Sequence, residues 1–129
     1  TVLGVSDKAT MGGVIKAANA SNAEAQIDLI SVKDKKAVAT EAAKNGAQII
    51  GVHTGLDAQA AGQTPFADLK DIAGLNLGVR ISVAGGLNKD TIQDTVRAGA
   101  TIVVVGAAIY GADSPAESAK ELRALVDAA

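Results

Sequence analysis

Five short runs of consecutive aliphatic and β-branched residues punctuate the chain: Thr1-Val2-Leu3-Gly4-Val5, Ala25 to Val32, Gln48 to His53, Val79 to Ala84 and Thr101 to Gly106. A strand with one wet face alternates apolar with polar residues. These runs are apolar on neighbouring residues instead, as parallel strands covered on both faces are. That one feature limits the chain to a narrow set of α/β folds.

The segments between the runs carry helix signals. Asp7 is placed to cap a helix with Met11, Val14, Ile15 and Ala18 on one face, ending near Asn19. Asp34 caps Lys35 to Asn45, and Gly46 supplies a left-handed stop. Thr64-Pro65 opens a helix in which Phe66, Leu69 and Ile72 align; Asn88 precedes Lys89 to Ala98, with Gly99 at the stop. Ser114-Pro115-Ala116-Glu117 has the form of a capping box before Ala119, Leu122 and Val126. Five strand–helix units in succession predict one parallel sheet with right-handed crossovers. The echo between Asn45-Gly46-Ala47 and Ala98-Gly99-Ala100, each just ahead of a strand, is shared βα grammar. The loops after the strands are longer and more varied, and function is expected there.

Composition narrows the function classes. With 129 residues, 48 % hydrophobic and 20 % charged, residues 1–129 form a single α/β domain with one core. A net charge of −2 and 2 % aromatic residues leave neither a basic stripe nor stacking platforms, which argues against nucleic acid. No apolar run approaches the roughly 18 residues of a membrane span. The absence of cysteine removes disulfides and thiolate chemistry and suits a reducing, cytoplasmic setting. With no signal-peptide pattern and no initiator methionine, the chain reads as starting in mid-fold.

The third run ends in the sole histidine and then breaks: Ile49-Ile50-Gly51-Val52-His53-Thr54-Gly55. An imidazole just past a parallel strand's carboxyl end is placed for proton transfer near neutral pH; a surface or satisfied core histidine is the alternative. Asp28 interrupts Ile27-Asp28-Leu29-Ile30, where a buried carboxylate needs a cation or hydrogen-bond donor. It is either an active-site group or a residue that faces a helix or bonds a backbone amide. Gly85-Gly86 and Gly106-Ala107 end the last two strands, and bare N–H groups there suit a phosphate; a tight turn alone is the other reading of the glycine pair. Lys33, Asp34, Lys35 and Lys36 read as a solvated loop and helix start.

The motif Gly51-Val52-His53-Thr54-Gly55-Leu56-Asp57-Ala58-Gln59-Ala60-Ala61-Gly62-Gln63-Thr64-Pro65-Phe66 resembles the 3-hexulose-6-phosphate synthase family. Val2-Leu3-Gly4-Val5-Ser6-Asp7, Gln26-Ile27-Asp28-Leu29-Ile30, Val83-Ala84-Gly85-Gly86 and Gly106-Ala107-Ala108-Ile109-Tyr110-Gly111-Ala112 extend the likeness over nearly the whole chain, in order. The resemblance implies an orotidine-phosphate decarboxylase-like barrel and a lyase of the aldehyde-lyase type. Such an enzyme joins formaldehyde to ribulose 5-phosphate through a magnesium-stabilised enediolate, the formaldehyde-fixing step of the ribulose monophosphate pathway. It makes His53 and Asp28 catalytic, gives the phosphate to Gly85, Gly86, Gly106 and Ala107, and places Thr54, Gly55 and Asp57 on the substrate loop. Leu56 stands where the related keto-gulonate-phosphate decarboxylases tend to carry arginine.

The family's Asp-x-Lys-x-x-Asp motif and magnesium carboxylates have no counterpart here. The resemblance therefore implies five consecutive βα units of an incomplete TIM (βα)8-type barrel, strands four to eight, with Mg2+ implied but its ligands absent from this chain. Three readings follow: a carboxyl-terminal portion of a synthase, an isolated phosphate-binding α/β module without catalysis, or a structural half-barrel re-paired into a doubly wound flavodoxin-like sheet. In barrel order, the interior lined by Val52, Val83 and Val104 is expected to lie open, so association is expected, either as a homodimer or with the missing strands.

Overall fold

The apolar runs form five parallel strands, joined through helical crossovers. A computed structural model describes residues 1–129. In chain order the elements are β1 (Val2–Leu3), α1 (Lys8–Ala20), β2 (Gln26–Asp28), α2 (Lys35–Lys44), β3 (Ile49–His53), α3 (Leu56–Ala60), α4 (Phe66–Ala73), β4 (Arg80–Ala84), α5 (Ile92–Arg97), β5 (Ile102–Val104), α6 (Ala107–Tyr110) and α7 (Pro115–Asp127). The single sheet has the order β1-β2-β3-β4-β5, and every neighbouring pair is parallel. A doubly wound sheet reverses its strand order at a switch point. This one does not, so the flavodoxin-like alternative and the re-paired structural reading are set aside.

Register shows which residues share a face. Ile27, Ile50 and Ile81 stand in one row, and Val52, Val83 and Val103 in another. They meet Ile15 of α1, Ala39 and Ala42 of α2, and Leu69 and Ile72 of α4 in the main core. Ile27, Ile50, Val52 and Val83 are all but inaccessible to solvent, and burial of each such side chain contributes about 1.5–3 kcal/mol.

The other face carries the row Asp28, Gly51, Ser82, Ile102 and, one step further along, His53, Ala84 and Val104. It is covered only in part. Leu3 of edge strand β1 is 46 % exposed and Val104 of edge strand β5 is 50 % exposed. The expectation that Val52 and Val83 line a barrel interior is corrected. They alternate with Gly51 and His53, and with Ser82 and Ala84, and so point into the helix-covered core, whereas Val104 does lie on the open face.

Capping followed the sequence at some ends and not at others. Asp7 accepts the Thr10 N–H at 2.8 Å and Asp34 accepts the Ala37 N–H at 3.0 Å. Gly46 (φ +95°) and Gly99 (φ +113°) adopt the conformation expected of a stop before β3 and β5. Ser114 makes no capping bond, and Glu117 pairs with Lys120 at 2.8 Å, so the capping box does not form. Asn88 builds a turn instead of opening a helix: its N–H donates to Thr91 Oγ1 (3.1 Å) and its side-chain oxygen accepts the Asp90 N–H (2.9 Å), which delays α5 to Ile92. No helix is long and apolar enough to cross a membrane.

Candidate active site

Asp28 ends β2 and pairs in register with Gly51, which leaves no side chain between the carboxylate and the next residue on that face of β3, His53. Asp28 Oδ2 lies 3.0 Å from His53 Nδ1. Its other oxygen, Oδ1, accepts the Ile30 N–H at 2.9 Å. The carboxylate is thus met by a backbone amide, as one of the two readings of Asp28 expects, and also by an imidazole. Its side chain is 13 % exposed and that of His53 is 35 % exposed, an oriented pair with one end open to solvent.

An ionised carboxylate only accepts hydrogen bonds. Against an ionised Asp28, Nδ1 is the ring nitrogen that donates, which leaves Nε2 as the atom available to other partners. His53, Thr54, Gly55 and Asp57 line an open cleft of about 740 Å³, together with Ile30 and Lys35. Gly55 lies against Ile30, whose Cδ1 would be 3.3 Å from an added Cβ. An alanine at position 55 would need the end of the Ile30 side chain to give way slightly.

The β4 loop packs on the other side of the same segment. Thr54 N–H donates to Ala84 O at 3.1 Å, continuing the β3–β4 ladder by one bond. Gly85 (φ +111°) then passes so close that an added Cβ would collide with the Thr54 carbonyl oxygen and stand 3.1 Å from Thr54 N. Tight packing therefore requires glycine at position 85, whatever else the loop does. Gly86 (φ +70°) faces Gln59 and lines a second cleft with Thr64, Phe66, Thr91 and Thr95. Gly106 and Ala107 are exposed, where β5 gives way to α6. Ala84 and Val104 are register partners, so the two glycine loops leave adjacent strand ends.

The structure thus gathers Asp28, His53, Thr54, Gly55 and Asp57 in one place, with Gly85 packed behind Thr54. Gly106 and Ala107 stand farther along the same sheet edge. Two residues escaped sequence reasoning. Lys35, read as part of a solvated loop, lines the main cleft and pairs with Asp68 of α4 at 3.0 Å. Gln59 donates from Nε2 to Thr54 O at 2.7 Å. Lys35 had no local signal, since its partner is set by how α2 and α4 pack; the partner of Gln59 is only five residues upstream, where the chain turns from β3 into α3.

A parallel sheet in sequential order, helix-covered on one face, with polar groups at the carboxyl ends of its strands, is a segment of a TIM-type βα barrel. The chain belongs to the orotidine 5'-phosphate decarboxylase / HUMPS family, whose model matches residues 1–122. It is 62 % identical over 125 residues to the 3-hexulose-6-phosphate synthase of Methylomonas aminofaciens, covering 97 % of this chain and 60 % of that protein. The enzyme of the same name from Staphylococcus aureus (strain USA300) is 39 % identical over 127 residues, covering 98 % of this chain and 60 % of the relative. The crystal structure of 3-hexulose-6-phosphate synthase from Salmonella typhimurium superposes with a TM-score of 0.92 at 36 % identity, over 98 % of this chain and 60 % of that one. The chain therefore spans about 60 % of the length of the curated relatives it matches.

The magnesium ion implied by the resemblance does not fit the donors present. Magnesium takes near-octahedral oxygen ligation, and no three Asp, Glu, His or Cys side chains stand together as a metal site. Both oxygens of Asp28 are already engaged.

Proposed function

We propose that the chain carries the acid–base and phosphate-binding part of a 3-hexulose-6-phosphate synthase site, a lyase-type activity that condenses formaldehyde with ribulose 5-phosphate. The observation that carries the reading is the Asp28–His53 pair opening into a cleft at the carboxyl end of the sheet, in a chain 62 % identical to a synthase of that name.

In this reading Asp28 holds the ring through Nδ1, and His53 Nε2 removes a proton from C1 of ribulose 5-phosphate. The C–H electron pair passes into the enediolate. That carbon attacks formaldehyde as the C2 carbonyl of the enediolate reforms; the new C–C bond forms, and the carbonyl π pair moves to the formaldehyde oxygen, which takes the proton back from His53 Nε2. Gly85, Gly86, Gly106 and Ala107 hold the phosphate with their N–H groups, and Thr54, Gly55 and Asp57 shape the sugar's side of the cleft. A magnesium ion would have to take its carboxylates from outside these residues, which correspond to barrel strands four to eight. The setting is cytoplasmic, in keeping with the absence of cysteine.

A second reading, phosphate binding without turnover, is favoured by the lack of a fitting metal donor set. Calorimetric titration of the chain with ribulose 5-phosphate tests what both share. Binding is expected, and Gly106→Glu, which puts a carboxylate where the anion belongs, is expected to abolish it. Unchanged binding by Gly106→Glu would overturn the phosphate assignment.

A further inference from the structure

Between the His53 loop and the Gly85-Gly86 loop lies one side chain that bonds the first and faces the second. Gln59, on α3, donates from Nε2 to the carbonyl of Thr54, the residue that follows His53, at 2.7 Å. Its Oε1 lies 3.1 Å, and its Cδ 3.5 Å, from where a Cβ on Gly86 would stand. Thr54 is in turn tied to the start of the glycine loop, since its N–H bonds Ala84 O and its backbone abuts Gly85. Thr54 is 6 % exposed, so its carbonyl depends on a protein partner for hydrogen bonding.

From this arrangement we infer that Gln59 is a positioning residue that couples anion binding at the glycine loop to the placement of His53. The inference rests on the reading that Gly85 and Gly86 bind phosphate. An anion that draws the Gly86 backbone toward itself changes the surface against which the Gln59 amide packs. That amide can respond only through its one strong bond, to Thr54 O, and the peptide after His53 moves with it. Phosphate occupancy thereby sets the imidazole for proton transfer, and an unphosphorylated sugar would meet a His53 that is less well placed.

His53 is the sole histidine, so its ring protons give an unambiguous NMR signal. Inorganic phosphate is the probe, because it can occupy the glycine loop without carrying a sugar to His53. In the wild-type chain, phosphate is expected to shift the His53 ring resonances along a saturating curve that matches calorimetry. In Gln59→Met, of similar length but without a donor, phosphate is expected to bind while the His53 response is lost; Gln59→Glu, which sets an acceptor against the Thr54 carbonyl, is expected to behave alike. A second measurement needs no substitution: the Gln59 side-chain amide signals of the wild type are expected to shift with the same saturation. A full His53 response in folded Gln59→Met, or Gln59 amide signals that ignore bound phosphate, would overturn the coupling while leaving the phosphate site intact. Failure of the wild-type chain to bind phosphate would overturn the site, and the coupling with it.

Discussion

Replacing Gly85 by alanine tests how the site is assembled. The backbone there has φ +111°, and an added Cβ would run into the Thr54 carbonyl oxygen while lying 3.1 Å from Thr54 N and Thr54 Cβ. A side chain in that conformational region costs about 1–3 kcal/mol. Forcing extra volume against backbone that cannot swing aside costs roughly 1–3 kcal/mol more. Together that is about 2–6 kcal/mol, a large part of a typical domain stability of about 5–15 kcal/mol. Gly78→Ala separates the two contributions, because Gly78 also has positive φ (+71°) but nothing lies within 4 Å of the added Cβ. Urea unfolding of both variants, with unchanged slope, gives the comparison. Gly85→Ala is expected to lose about 1–3 kcal/mol more than Gly78→Ala. Equal losses would refute the claim that the β3 and β4 loops are locked by contact at Thr54.

Asp28→Asn keeps an acceptor for the Ile30 N–H but can present an amide donor to His53 Nδ1, so the ring is expected to move its proton to Nε2; nitrogen-15 NMR of the single histidine reads this directly, and an unaltered tautomer would contradict the assignment. Association through the edge strands is expected from exposed Leu3, Val5 and Val104: light scattering should show mass rising with concentration, reduced by Val104→Lys, and a monomer at every concentration would contradict it. Asp7, held below the usual carboxylate range by the backbone N–H and hydroxyl of Thr10, stabilises the start of α1 above the ordinary value of 3.8. That contribution is lost as pH falls through the lower, folded-state value. The stability gap between wild type and Asp7→Ala should therefore narrow in acid, and a constant gap would show that the charge is not involved.

Much of the fold was legible because parallel strands and helix ends leave local marks. The Val- and Ile-rich runs, Asp7, Asp34, Gly46 and Gly99 each act within a few residues, and all five strands and the main helices came from such signals. The facing of Val52 and Val83 was misread because an unbroken apolar run has no alternation to show which residue points where. His53 held the answer, since its chain neighbour Val52 must take the opposite face. Helices α3 and α6, five and four residues long, are too short for periodicity to register. Asp28 and His53 could be singled out as an oddity within an apolar run and a histidine at a strand end. Their mutual bond could not, because it depends on β2 pairing with β3 in the register that sets Asp28 opposite Gly51. Lys35 was hidden for a like reason, its partner Asp68 being chosen by the packing of α2 on α4, and Gln59 because its bond to Thr54 O needs the turn between β3 and α3, which leaves no periodic mark.

The central claim is that His53, oriented by Asp28, moves the proton that precedes carbon–carbon bond formation. The direct measurement uses a version of the chain lengthened to the full span of its relatives, given ribulose 5-phosphate and carbon-13 formaldehyde, with labelled hexulose 6-phosphate followed by NMR. Label is expected to enter the product, and His53→Ala is expected to slow its entry by about 10²-fold or more, the scale of a positioned acid–base group. No labelled product from the wild type, or undiminished labelling in a folded His53→Ala, would contradict the account.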